Sequence, residues 1–530
     1  MGVTRDSSRL PFDWSLDDPR LLDCAVFITI AGLFSLMLIS NFGLYSCDDF
    51  DMAVRPSPSA QLEHWALVDT RYLVFAAFRF ARLIGLDALH DYSVFALFYA
   101  VSFATFVVAV VHYLTKDIEV SRAERAIIGL LFAALLMTHG FQAENIVWKN
   151  VFTTMLLIYF IMAACLVLLR SERYRLWHYP GLAALFLALN CIYQPATMAL
   201  FWLAIAWAVV TCIGAGEAEP RNVVRLVRHV VAVAALFVIA GLGYIALTRV
   251  VRALGSVATG AFVWSRAFDV ADGGSLLLNL KHHAKSVIGL VDPSGSIYGP
   301  YAGGPVVFLA AILLIIVLRE ALRRSWFQLF FVSALLGIML VCSQNLENVL
   351  LKGYWPSGRS SFYAGLLLPV LWLGAWLAIR PKMQRVLLLI ALLAIGLQTM
   401  TFAKLTAEWF EVQRRDYALA KDIGDAIRSE PALAGATGIR LPAQVFPGYY
   451  RGLTPPVYDS GRSVFDYPFA QVPIITFVTG LKLAPTGTAS CPQRATRAGS
   501  GPARRDRYRR LLLILIGCIG IPGPTSAVSI

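Results

Sequence analysis

Three carboxylates lie within four residues in the run Tyr45-Ser46-Cys47-Asp48-Asp49-Phe50-Asp51, directly after a long apolar stretch. Adjacent carboxylates repel, which raises the pKa of at least one of them unless a cation sits between them. Such a pair suits two tasks: taking a proton from a hydroxyl as general base, or holding a divalent ion such as Mg or Mn. Asp48 is the first choice for the base, with Asp49 its rival or partner. The same spacing also fits a helix end fixed at a membrane interface by solvated acids.

The segment Gln61 to Leu86 mixes Trp65, Tyr72, Phe75, Phe78 and Phe80 with Arg71, Arg79 and Arg82. On a continuous helix turning about 100° per residue, Arg71 and Arg82 fall within roughly 20° of each other. That pattern predicts an interfacial helix, aromatic on one side and basic on the other. Guanidinium groups bind phosphate bidentately, so the basic side is a candidate phosphate clamp; ordinary snorkelling of Arg at an interface gives the same pattern. Further candidates are Glu144, Trp148 and Lys149; Lys281, His282, His283 and Lys285; and Lys352, Tyr354 and Arg359. His282 and His283 are adjacent, so on a helix they do not face one metal. The Gly/Pro/Tyr-rich stretch Asp292 to Pro305 reads as a substrate loop or as plain turn chemistry.

The elements that must position these residues follow from composition. Of 530 residues, 58% are apolar and 15% charged, and the mean hydropathy is +0.65. Soluble domains are about 45–50% apolar and about 25% charged, so a soluble enzyme, a disordered chain and a coiled coil are excluded. Eleven apolar runs stand out, near 24–43, 93–114, 126–139, 150–169, 180–193, 196–214, 229–250, 304–318, 327–343, 361–379 and 386–402. A span needs about 20 residues, so the shorter runs must borrow polar residues at their ends. Between the fifth and sixth, Tyr193-Gln194-Pro195 predicts a tight reversal, because Pro breaks a helix and restricts the residue before it.

With the N-terminus inside, every short inner segment carries three Lys or Arg, for example Lys116, Arg122 and Arg125, or Arg319, Arg323 and Arg324. This alternation satisfies the positive-inside rule and predicts an outer C-terminal region. The first 20 residues show no removable signal sequence. The expected organisation is a transmembrane domain, 1–403, with outer loops 44–92, 251–303 and 344–360; a small outer domain, 404–485, of α/β character; and an atypical tail, 486–530, with a disordered composition. The eight Cys are scattered without a C-x-x-C pair and predict neither a disulfide framework nor a metal site. No span centre carries a charge, which argues against an ion-coupled pump. There is no Walker A, G-x-S-x-G or H-E-x-x-H motif.

This layout resembles the GT-C class of integral-membrane glycosyltransferases, with many spans, an acidic pair in the first outer loop, interfacial helices after it and a C-terminal outer domain. It is similar in particular to the bacterial O-antigen-modifying glucosyl transferase family. Three stretches carry that likeness: Tyr45 to Asp48-Asp49, Asp69-Thr70-Arg71-Tyr72-Leu73 where such proteins often have Gly-Arg, and Tyr193-Gln194 after a span. Thr70 departs from the pattern.

The resemblance implies an α-helical polytopic protein of about eleven spans in the bacterial inner membrane, N-terminus cytoplasmic, with a periplasmic active site in the cell envelope. It implies inverting transfer of glucose or another hexose from a polyprenyl-phosphate donor to a glycan or lipid acceptor such as lipopolysaccharide, among membrane lipids and without nucleic acid. The expected site comprises Asp48 and Asp49, with room for a divalent cation between them, and Arg71, Arg82, Lys281, Arg359, Tyr193 and Gln194 towards the substrates. A lipid-linked saccharide flippase or other transporter, or a non-catalytic scaffold, are the alternatives from other classes.

Overall fold

The computed structural model describes residues 19–54, 62–63, 65–67, 70–87, 90–140, 142–170, 178–214, 220–259, 273–291, 303–343, 346, 349, 362–379, 381–429, 438–439 and 463–485. All eleven apolar runs fall on helices. In chain order the first seven helices are α1 (Pro19–Ile39), α2 (Cys47–Ala53), α3 (Tyr72–Leu83), α4 (Tyr92–Leu114), α5 (Arg122–Met137), α6 (Gln142–Val147) and α7 (Phe152–Arg170). They continue as α8 (His178–Asn190), α9 (Pro195–Gly214), α10 (Pro220–Thr259), α11 (Gly273–Val291) and α12 (Gly303–Arg324). The last are α13 (Trp326–Val341), α14 (Leu367–Ala378), α15 (Pro381–Ser429) and α16 (Pro468–Thr479). Among the described residues the strands amount to one two-residue parallel pairing, Gly438–Ile439 with Ala484–Pro485.

Among the described residues, seven helices are long and apolar enough to cross a membrane: α1, α4, α7, α9, α10, α12 and α15. The architecture is that of an α-helical polytopic membrane protein. Helices α5, α8, α13 and α14 have 16, 13, 16 and 12 residues, short of the ~20 that a perpendicular crossing takes.

Helix α9 is the centre of the bundle, with nearly every side chain buried. Around it, α1, α4 and α7 interlock through aromatic rings. Phe34 stacks on Phe103 at 4.2 Å, and Tyr159 meets Tyr99 at 5.9 Å and Phe106 at 4.9 Å. Contacts of this kind contribute about 0.5–1.5 kcal/mol beyond burial. The peripheral helices α1, α10, α12 and α15 expose large apolar side chains, among them Leu36, Leu242, Phe308 and Leu389. In water such a belt is unfavourable; against lipid tails it is the expected exterior.

The basic residues following several helices also have a local role. Lys116 Nζ donates to Leu169 O at 3.0 Å near the end of α7, and Arg324 Nη1 donates to Cys212 O at 2.9 Å near the end of α9. Both cations sit where the last helical carbonyls lack intrahelical partners and the macrodipole is negative. The reversal expected at Tyr193-Gln194-Pro195 is present: α8 ends at Asn190, Tyr193 N donates to Leu189 O at 2.7 Å, and Pro195 opens α9.

Helix α15 has 49 residues and is about 74 Å long. It outruns the roughly 30 Å hydrocarbon core. The boundary expected at 403/404 therefore lies inside one continuous helix. Its C-terminal half carries Asp416, fully buried, which accepts from Ser463 Oγ at 2.7 Å and Val464 N at 2.9 Å. This ties the turn that leads into α16 to α15. The expected tail, 486–530, and most of loop 344–360 lie outside the described residues. Within 251–303, α10 continues to Thr259 and α11 occupies 273–291.

Candidate functional site

The acid run folds into the start of α2. Ser46 is its N-cap: Ser46 Oγ accepts from Asp49 N at 3.2 Å, and Asp49 Oδ2 accepts from Ser46 N at 2.8 Å. This is a capping box, which satisfies two helix-end donors at once. The Asp49 carboxylate then reaches across to the chain before α7. Its Oδ2 accepts from Lys149 N at 3.4 Å and its Oδ1 from Asn150 N at 3.2 Å. Asp49 is 0% exposed. Burial pushes its carboxyl above the ordinary carboxylate range, while the Ser46 amide, the Lys149 charge and the Asn150 amide pull it back.

Lys149 is 1% exposed. Its ammonium donates to Phe42 O at 2.6 Å and Leu44 O at 2.9 Å, and stands 3.2 Å from the Tyr45 ring centroid and 4.6 Å from that of Tyr92. Carbonyls and π-faces together replace water around a buried cation. Two further contacts fix the acid loop from the side of α15. Gln413 accepts from Tyr45 N at 2.9 Å and donates to Gly43 O at 3.0 Å. Phe50 packs on Tyr417 and Phe477.

Asp48 and Asp51 differ from Asp49 in being only half-buried. Cys47 Sγ lies 3.7 Å from Asp48 Oδ1 in donor geometry. About 100° of helical rotation per residue turns neighbouring side chains apart, so one acid of the pair is buried as an anchor and the other stays at the edge. Three backbone N–H groups engage the Asp49 oxygens, which leaves that carboxylate little acceptor capacity for an ion shared with Asp48. Among the described residues no group of three His, Cys, Asp or Glu could hold a metal.

The basic segment is not one helix. Thr70 has φ 59°, and Arg71 is the N-cap of α3 with φ −92° and ψ 65°. The expected alignment of Arg71 with Arg82 therefore fails: the helix starts only after Arg71, whose own backbone is not helical, and the two arginines stand at opposite ends of α3. Arg82 Nε pairs with Glu63 Oε1 at 2.8 Å, and Arg79 joins the same carboxylate at 3.5 Å. Glu63 is buried, Arg79 is about half exposed and Arg82 somewhat less. Within α3 the burial stripe is Val74, Phe78 and Ala81, while Phe80 and Leu83 face outward beside Arg79 and Arg82, so the expected division into an aromatic and a basic side does not hold.

Arg71 has other surroundings. Its guanidinium lies 4.5 Å from the Trp65 ring centroid and 5.3 Å from that of Tyr193. Beside it, Gln194 Nε2 donates to Tyr244 OH at 2.6 Å, and the same hydroxyl bonds Thr70 Oγ1 and, at 3.3 Å, Thr70 O. Leu73 N donates to Cys191 O at 3.1 Å, fastening α3 to the turn after α8. A β-branched residue with positive φ is an outlier that costs about 1–3 kcal/mol and persists only where its surroundings enforce it.

Tyr193, Gln194 and Arg71 are thus brought together, and Arg82 is committed to Glu63. Lys281 is exposed on α11, whose inward side is fixed by Asn279 Nδ2 to Val349 O at 3.1 Å and by His283 Nε2 to Val341 O at 2.9 Å. His282 is exposed and His283 buried, as adjacent helical positions require. Arg359, Lys352 and Tyr354 lie outside the described residues, as does nearly all of Asp292 to Pro305. Sequence reasoning missed Glu63 and Tyr244. Glu63 was legible as an acid ahead of a basic helix; Tyr244, inside an apolar run, left no signal but its hydroxyl. Compared with known proteins, the chain matches no family model, no curated protein and no solved structure.

Proposed function

We propose that this chain is an integral-membrane glycosyltransferase that moves a hexose from a polyprenyl-phosphate carrier to a glycan or lipid acceptor at the outer face of a bacterial inner membrane. In this reading all eleven apolar runs are spans, the short ones completed by their flanks, with the N-terminus cytoplasmic and α2 and α3 outside.

The observation that carries the reading is the division of labour in the acid loop. Asp49, capped and buried, pins α2 to the chain before α7; Asp48, on the first turn of the same rigid helix, remains at the edge. A base held on a fixed element is what proton abstraction from an acceptor hydroxyl needs. Asp48 takes the hydroxyl proton, the acceptor oxygen bonds the anomeric carbon, and the bond from that carbon to the phosphate oxygen breaks with inversion. The polyprenyl phosphate departs with the electron pair. Arg71, supported by Trp65 and Tyr193, stabilises the departing phosphate. Lys281 and Arg359 are further phosphate contacts in this scheme, and no metal is required.

The test is transfer by the purified protein in lipid nanodiscs supplied with a panel of polyprenyl-phosphate hexoses and an envelope glycan extract. Asp48→Asn keeps shape and hydrogen bonding but cannot take the proton. Its turnover per folded molecule should fall by about 10²–10⁴-fold. A near-wild-type rate removes Asp48 as base, and the absence of transfer from any donor in the wild type removes the reading.

A further inference from the structure

Among the described residues, Thr70 is the one non-glycine with a positive φ. Its own neighbours contribute two constraints: Thr70 N donates to Leu67 O at 3.0 Å and Arg71 N to Ala66 O at 2.7 Å. The third constraint comes from 174 residues away. The Tyr244 hydroxyl engages both the side chain and the carbonyl of Thr70, and accepts from Gln194. Tyr244 is buried, although its neighbours Leu242 and Ile245 on α10 are exposed. One polar side chain of a largely lipid-facing helix is thus turned inward onto the strained residue.

The residue after the strained one is Arg71. Its guanidinium direction depends on the backbone at Thr70, because a change of φ there swings everything that follows. If Thr70 relaxed to negative φ, Arg71 would leave the rings of Trp65 and Tyr193 and the start of α3 would shift.

We propose that Tyr244 is a positioning residue: its hydroxyl clasps Thr70 in the left-handed conformation and thereby sets the Arg71 guanidinium against Trp65 and Tyr193, ready for the phosphate of a lipid. The phosphate part rests on the functional reading above; the clasp does not.

The clasp is tested without any ligand. In nanodiscs, the rate at which phenylglyoxal modifies Arg71 is followed by mass spectrometry. Tyr244→Phe keeps the ring and removes the hydroxyl, and should speed the modification about tenfold, the order expected when a strained backbone is released. Thr70→Gly alone should leave the rate near wild type, because glycine occupies positive φ without steric cost. Thr70→Gly in the Tyr244→Phe background should restore the slow rate. An unchanged rate in Tyr244→Phe, or a failure of Thr70→Gly to rescue it, overturns the clasp; the second result would mean that Tyr244 serves packing alone.

A separate arm measures binding of a polyprenyl monophosphate to the same four proteins. Weakening in Tyr244→Phe and recovery in the double variant support the lipid-phosphate assignment. If the wild type does not bind this probe while the phenylglyoxal pattern holds, the phosphate assignment and the donor reading fall and the clasp stands.

Discussion

The carboxylate of Asp49 and the ammonium of Lys149 are both buried beside each other, yet each is satisfied by backbone groups and not by the other. Asp49 accepts amide N–H groups from Ser46, Lys149 and Asn150, and Lys149 donates to the carbonyls of Phe42 and Leu44. Two opposite charges thus tie together the end of α1, the start of α2 and the chain before α7. Each supplies the hydrogen bonds that the irregular backbone of the other segment lacks, which is what makes loop backbone tolerable in a dry setting.

That geometry separates the two acids experimentally. Asp49→Asn converts one accepting oxygen into a donor facing an N–H group, so it should destabilise the protein by about 2–3 kcal/mol, the range for a hydrogen-bonded buried charge. Asp48→Asn should leave the unfolding midpoint near wild type and lower turnover. Thermal unfolding in detergent, followed beside the transfer rate, decides it. Equal midpoints for the two variants would contradict the assignment of Asp49 as the anchor.

Lys149→Met keeps the apolar stem and removes the cation. Two carbonyls lose their donor and the buried Asp49 loses the nearest compensating charge, so a cost of about 3–5 kcal/mol is expected. Because both residues serve one junction, the Asp49→Asn/Lys149→Met double variant should cost clearly less than the sum of the singles. Strict additivity in the unfolding free energies would mean that the two charges act independently.

Arg71 and Arg82 should part company. Arg82→Ala breaks the pair of a partly exposed arginine with the buried Glu63 but leaves Arg79 on the same carboxylate, so a loss of about 1 kcal/mol is expected, and affinity for polyprenyl phosphate should not change. Arg71→Ala should weaken that affinity about tenfold or more, and Arg71→Lys should recover only part of it, because an ammonium lacks the planar fork. Binding isotherms in nanodiscs give both answers. Matching losses for Arg71→Ala and Arg82→Ala would restore the single basic face.

The orientation is checked by single-cysteine labelling in a background cleared of the native thiols. Ala60→Cys and Glu430→Cys should react with a membrane-impermeant maleimide added to intact cells, and Arg173→Cys should not. Labelling at 173 reverses the proposed sidedness.

Much of the fold was legible because helix formation in an apolar setting is a local property. Eleven apolar runs with uncharged centres fall on helices, and the reversal at Tyr193-Gln194-Pro195 ends one helix and opens the next. Side-chain fate at the site was not local. Nothing in the order Asp48-Asp49 says which acid is buried; that follows from the amides of Lys149 and Asn150, brought there by packing a hundred residues on. Arg71 and Arg82 shared a face only on the assumption that Arg71 is itself helical, whereas it is the N-cap that follows Thr70, a residue whose side chain and carbonyl bond Tyr244 on a distant helix. Apolar patterning determined where the chain is helical, because a membrane-length run must satisfy its backbone internally. Tertiary structure decided which polar groups stay buried and which face outward, because each buried charge needs partners that only distant segments can supply.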